Sequence, residues 1–197
     1  MSKPQRTAST ATFLGKLSRV TPGQLVLVHV DVKNSLTTCA RIVREYQEQG
    51  YKGVYITLFK GYTELEEAFA QAGVNVSALA CIDGITELEG AAKVKTTRAN
   101  IIYVPSPFFL DEILEQLQTL LGRIKGKKRF VILDSLTAAL LYNPLDKVLD
   151  FLARLAKLLE KLGVGLMVYV TVGPHDPEWT DALKKAVDAE IDLRGWQ

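Results

Sequence analysis

The chain reads as a three-layer α/β domain with a mostly parallel sheet, on two observations. Its strand-like runs, such as Leu25-Val26-Leu27-Val28 and Phe130-Val131-Ile132-Leu133, are continuously apolar rather than alternating. A strand reads this way when both of its faces are buried, as in a parallel sheet covered by helices. Segments with a 3.6-residue apolar period follow these runs in turn, and β-α alternation gives the same class. At 197 residues and 48% hydrophobic content, the chain is long enough for one domain with a sizeable core.

Met1 to Thr12 has no apolar period and is expected to be a mobile tail, leaving 13–197 as the single domain. Phe13–Leu17 suits a short helix leading to a turn at Thr21-Pro22-Gly23. Leu25–Val30 is a strand, and Thr37–Gln49 is a helix closed by Gly50. Gly53–Phe59 is a strand. Thr63–Ala72 is a helix in which Thr63 as N-cap and Glu66 three residues on suggest a capping box. Ala78–Asp83 and Asn100–Pro105 are strands flanking the least regular stretch, Gly84–Ala99. Phe109–Ile124 carries a helical stripe of Leu110, Ile113, Leu114, Leu117, Leu120 and Leu121. After the strand Arg129–Asp134, a long helix is expected over Pro144–Leu162, with proline in its first turn and Gly163 at its end. Gly165–Val172 is a strand, Asp176–Val187 mostly helix and Glu190–Leu193 a last short strand.

With 24 basic and 22 acidic residues, the net charge is +2, which gives no general electrostatic case for nucleic acid or anionic membranes. The run Lys125-Gly126-Lys127-Lys128-Arg129 is expected to be a solvated turn. Cys39 and Cys81 are too few for a disulfide framework and read as small buried hydrophobes in a reducing compartment. No cysteine–histidine spacing suggests a metal. The N-terminus lacks the apolar stretch of a signal peptide, and no run approaches the roughly 18 apolar residues that span a bilayer. A cytoplasmic location without membrane contact is expected.

The segment of most interest joins the first strand to its helix, through Asp31-Val32-Lys33-Asn34-Ser35-Leu36-Thr37-Thr38. Strand, loop and helix is the layout of a P-loop, G-x-x-x-x-G-K-[ST]. With the hydroxyl position on Thr37, the two glycines fall on Val30 and Ser35 and the lysine on Leu36, so only Thr37 is retained. Such loops need glycines for backbone N–H groups to curl around phosphate, and a lysine for its charge. Val30 is β-branched and Leu36 uncharged. Lys33 or Asn34 would have to substitute for the lysine. Asp134 ends a central strand, where α/β sheets place functional groups, and its alternative role is to cap a loop. Ser135 has no identifiable base. His29 reads as a hydrogen-bonded strand residue, and His175 lies in a Gly-Pro-His-Asp-Pro turn. Pro105-Ser106-Pro107-Phe108-Phe109 is either a contact surface or, more simply, a rigid turn with Phe109 in the core; Trp196 is a candidate exposed tip.

Four stretches together resemble the RecA-like ATPase core, and within it the KaiC-like branch. They are Pro22–Val28 before the loop, Gly50–Leu58 as the second strand, Arg129–Thr137 with its terminal Asp-Ser, and Ala189–Leu193 as the closing strand. The resemblance spans Thr21 to Leu193. It implies a nucleotide site at Lys33, Thr37, Thr38 and Asp134, with Asp134 supporting magnesium. The chain departs from the family at the glycines and lysine, at the paired glutamates after the second strand, where Phe59-Lys60 stands, and at the hairpin beyond the last strand. The resulting expectation is a catalytically inactive RecA-like domain with a vestigial nucleotide site, no catalytic residue, no required cofactor and no metal. It would serve as a binding, scaffold or regulatory module through a protein partner or self-association. The alternatives are a nucleotide-responsive regulator or weak ATPase, with ATP and magnesium in an unorthodox loop, and a nucleic-acid accessory protein.

Overall fold

The structure is a computed structural model and describes residues 23–90, 98–172 and 177–195, with backbone alone over 166–172. The expectations for Met1–Thr12, Phe13–Leu17, His175 and Trp196 lie outside the described residues. In chain order the elements are β1 (Leu25–Asp31), a 3-10 turn (Val32–Asn34), α1 (Ser35–Glu48), β2 (Lys52–Thr57), α2 (Tyr62–Gln71), a second 3-10 turn (Val76–Ala78) and β3 (Ala80–Asp83). Then follow β4 (Ile101–Tyr103), α3 (Leu110–Arg123), β5 (Arg129–Asp134), α4 (Leu136–Tyr142), α5 (Leu145–Leu162), β6 (Gly165–Val172), α6 (Pro177–Ala186) and β7 (Ala189–Asp192).

The seven strands form one sheet in the order β4-β3-β2-β5-β6-β1-β7, with every neighbouring pair parallel. Successive strand residues point to opposite faces, and both faces are apolar. Val26, Val28, Tyr55 and Ile132 pack under α1 and α2, against Cys39, Ile42, Leu65 and Phe69. Leu25, Leu27, Ile56 and Leu133 pack under α3 to α6, against residues such as Leu117, Leu136, Leu155 and Leu183. This two-sided burial explains the unalternating runs. Close packing of β2 on β5 depends on Gly53, where a Cβ would stand 2.5 Å from the Phe130 carbonyl oxygen.

Several local expectations are corrected. The capping box at Thr63 does not form: Gly61 is the N-cap and Tyr62 the first helical residue. The orphan Tyr62 N–H donates instead to Asp83 Oδ2 at 2.7 Å, so a strand end caps this helix. Pro144 occupies the N-cap position of α5 rather than its first turn, while Gly163 closes that helix in the left-handed conformation at φ 67°. The short helix α4 has no counterpart in the sequence reading. Its start is fixed by Ser135, whose Oγ accepts the Ala138 N–H at 3.1 Å.

Candidate functional site at the C-terminal edge of the sheet

β2 and β5 are adjacent and in register from Lys52↔Arg129 to Thr57↔Asp134. From their C-terminal ends the chain departs to opposite faces: β2 leads to α2 on the α1 side, and β5 leads to α4 and α5 on the other. Such a divergence opens a crevice at the strand ends, the usual ligand position in an open α/β sheet. Asp134 ends β5 there, joined to Ser135 by a cis peptide.

Asp134 is 4% exposed, and its carboxylate is turned toward a neighbouring side chain. The Tyr55 hydroxyl, diagonally across on β2, donates to Asp134 Oδ2 at 2.5 Å. The Cys39 thiol from α1 lies in hydrogen-bonding contact with the same phenol. Burial pushes the Asp134 carboxyl up to about 6, against the opposing effects of the Tyr55 hydrogen bond and the nearby Lys60 charge. Burial and the Asp134 charge push Tyr55 well above the ordinary phenol range. A helix, a strand and a strand end are thereby joined through one buried polar chain.

The backbone around this chain is also tied down. Leu58 N–H donates to the Asp134 carbonyl at 2.6 Å, and Gly84 N–H to the Thr57 carbonyl at 3.0 Å. Thr57 Oγ1 donates to the Lys60 carbonyl at 2.5 Å, which fixes the corner carrying Phe59. Asp83 accepts four hydrogen bonds, from the backbone of Tyr62, Ile85 and Thr86 and from the Thr86 hydroxyl.

At β1 the strand passes straight into helical backbone: the 3-10 turn begins at Val32 and α1 at Ser35, two residues before the expected Thr37. Ser35 N–H donates to the Val32 carbonyl within that turn. Among the described residues positive φ occurs only at glycines, none of them between Gln24 and Gln49. Lys33 is exposed on the 3-10 turn and Thr37 is exposed on α1, whereas Thr38 and Asp134 are buried. The structure thus brings Asp134 together with Tyr55 and Cys39 and leaves Lys33 and Thr37 facing solvent. Sequence reasoning missed the Tyr55 contact. Its one signal was a phenol between Val54 and Ile56 in the buried β2 run, facing the same side as Asp134.

The expected core position of Phe109 is overturned: Phe109 is 50% and Phe108 57% exposed, because the turn at Ser106-Pro107 directs both rings outward. With Val32, Phe59, Leu88 and Leu141 they are the exposed large hydrophobic residues among the described ones. Each follows the C-terminal end of one of the strands β1 to β5. The apolar surface is therefore gathered on the rim formed by these strand ends, where Asp134 also lies. His29, on β1, is hydrogen-bonded as expected, at 2.9 Å to Glu190 on β7. Among the described residues no His, Cys, Asp and Glu cluster is arranged to hold a metal, and no helix is long and apolar enough to cross a membrane.

The fold has solved relatives at low sequence identity. A KaiC-like protein from the hyperthermophilic archaeon Pyrococcus horikoshii superposes with a TM-score of 0.61 at 19% identity, covering 88% of this chain and 72% of that one. The flagellar accessory protein FlaH from Methanocaldococcus jannaschii gives 0.60 at 13% identity, covering 96% and 78%. An uncharacterized protein from Pyrococcus horikoshii, solved in complex with an unknown peptide, gives 0.68 at 13% identity, covering 92% and 81%. These likenesses establish a RecA-like fold. No curated protein matches the sequence. A family model matches residues 61–195, from the start of α2 through β7, and the chain accordingly belongs to the family of unknown function DUF7090.

Proposed function

We propose that this chain is a RecA/KaiC-like domain that has given up nucleotide hydrolysis and works as a binding or scaffold module in a protein assembly. The observation that carries the reading is the joint between β1 and α1. A phosphate cradle needs a loop whose successive N–H groups converge on the anion, and here the strand enters helical turns directly at Val32. The carboxylate that the family resemblance assigns to magnesium support accepts a hydrogen bond from Tyr55 inside the protein. The rim that would face a ligand carries exposed Val32, Phe59, Phe108 and Phe109. Exposed apolar surface of this kind marks protein contact more readily than phosphate binding. One neighbour of the same fold was solved with a peptide bound, which is in keeping with a protein-binding role.

Isothermal titration with ATP and ADP, with and without magnesium, tests the reading. No binding heat and no thermal shift are expected. Magnesium-dependent ATP binding that weakens on Lys33→Ala, or turnover abolished by Asp134→Ala, would overturn it in favour of a nucleotide-responsive regulator.

A further inference from the structure

A groove of about 710 Å3 runs between the first turns of α3 and α5. We propose that it is a docking site for a basic segment of a protein partner, one that carries lysine or arginine beside an apolar anchor residue. The proposal deepens the binding-module reading by naming the partner's chemistry.

The groove has an apolar floor, an aromatic mouth and an acidic wall. Leu110 and Phe151 form the buried floor, and Phe108 and Phe109 stand half-exposed at the mouth. The Phe108 ring meets Tyr142 edge-on at 5.3 Å. The backbone that presents these rings is fixed: Ser106 Oγ accepts the Phe108 N–H at 3.1 Å, and Asn143 Nδ2 donates to the Pro107 carbonyl at 2.9 Å. Aromatic groups already held in place lose little conformational freedom when a partner covers them, which suits them as anchors.

The charge specifies the occupant. Asp111, Glu112, Glu115, Asp146 and Asp150 line the groove against Lys147 and Arg154. Arg154 is already engaged, bridging to the other helix through Asp111 at 2.5 Å and pairing within its own helix with Asp150 at 3.5 Å. Asp111, Glu112 and Asp146 lie in first turns and complement the helix dipoles. Glu115 and Asp150 lie beyond the first turns, so the negative wall extends along the groove. The carboxylates are not gathered for a metal ion. A row of carboxylates beside exposed phenylalanines is complementary to a cationic segment with an apolar side chain.

The test is fluorescence anisotropy of the full chain with a short labelled peptide in which lysines and arginines flank a Leu-Phe pair, beside a counterpart with glutamates in place of the bases. Saturable binding of the basic peptide is expected, falling with added salt. The double variants Glu115→Lys/Asp150→Lys and Phe108→Ser/Phe109→Ser should each weaken it about tenfold with unchanged thermal melts. Equal affinity for the glutamate peptide, no binding, or indifference to both double variants overturns the proposal. Two further results overturn it by naming another occupant. Self-association lost in Glu115→Lys/Asp150→Lys would assign the groove to a second copy. Binding gained only when Lys3, Arg6, Lys16 and Arg19 are changed to glutamate would assign it to the chain's own first residues. Nucleotide titration reads a different site, so failure here and failure of the module reading are separable.

Discussion

At the scale of single residues, Asp134 sets a pH dependence. Its carboxyl titrates near 6 in the folded chain, against an ordinary value of 3.8. The folded state therefore holds this proton over a range in which the unfolded chain has released it. The contribution to stability is full below about pH 4 and is lost as pH rises through 6, an effect of about 3 kcal/mol. Asp134→Asn keeps an acceptor for Tyr55 and removes the buried charge. Urea unfolding at pH 5 and pH 7.5 should show the wild type losing more stability than the variant over that step, and equal slopes would contradict the assignment. Tyr55→Phe should do the opposite. A buried carboxylate without its donor costs about 1.5–3 kcal/mol, so the variant should unfold at lower urea at pH 7.5 and lose most of that deficit at pH 5. The diagonal pairing of Tyr55 and Asp134 was not legible in the sequence, because register between β2 and β5 comes from the tertiary arrangement of segments far apart in the chain.

At the scale of elements, the order of strands and helices was readable, because two-sided burial leaves continuous apolar runs and the α3 and α5 stripes follow a 3.6 period. The exceptions share a cause: the partner lies elsewhere in the sequence. Thr63 has the residue type of a cap, yet Asp83 from β3 reaches the α2 N-terminus and the helix starts one residue earlier. Phe109 continues an apolar stripe, yet the turn before α3 places it beyond the core. Between β1 and α1 the residue types were legible in the sequence, whereas the immediate passage of β1 into helical backbone was not. Helix ends are also joined across the fold. The Arg129 guanidinium at the start of β5 donates to the carbonyls of Leu121 and Leu162, in the last turns of α3 and α5. Arg129→Met keeps the aliphatic stem and removes the guanidinium from both carbonyls, of which Leu121 still accepts the Ile124 N–H at 3.3 Å. Its urea midpoint should fall by an amount equivalent to about 1–2 kcal/mol, and an unchanged midpoint would mean that water replaces the guanidinium without cost.

At the scale of the whole molecule, apolar side chains left in solvent collect at one end of the sheet, following β1 to β5. This distribution makes the rim separable from the core. Replacing Phe59, Phe108 and Phe109 with serine should lower binding of an apolar dye and leave the melting temperature within a degree or two, since half-exposed surface residues contribute little to stability. A large fall in melting temperature would instead place these rings in the fold's own support. The outer strand β7 is short and carries Glu190 and Asp192 on its exposed positions, a composition that discourages pairing with further strands. Contact with partners is accordingly expected at the strand ends rather than along this edge.

The position of β1 has a consequence for how the chain is made. Among the described strands β1 is synthesised before the others, yet its neighbours are β6, where Leu25 pairs with Leu166, and β7, where Val26 pairs with Ala189. Translation at roughly 5–20 residues per second leaves an interval on the order of ten seconds between them. For that time β1, continuously apolar from Leu25 to Val28, has both edges open, while β2, β3 and β4 already have one another. Nascent chains of this protein should therefore engage a chaperone through Leu25–Asp31 and let it go only when β6 has emerged.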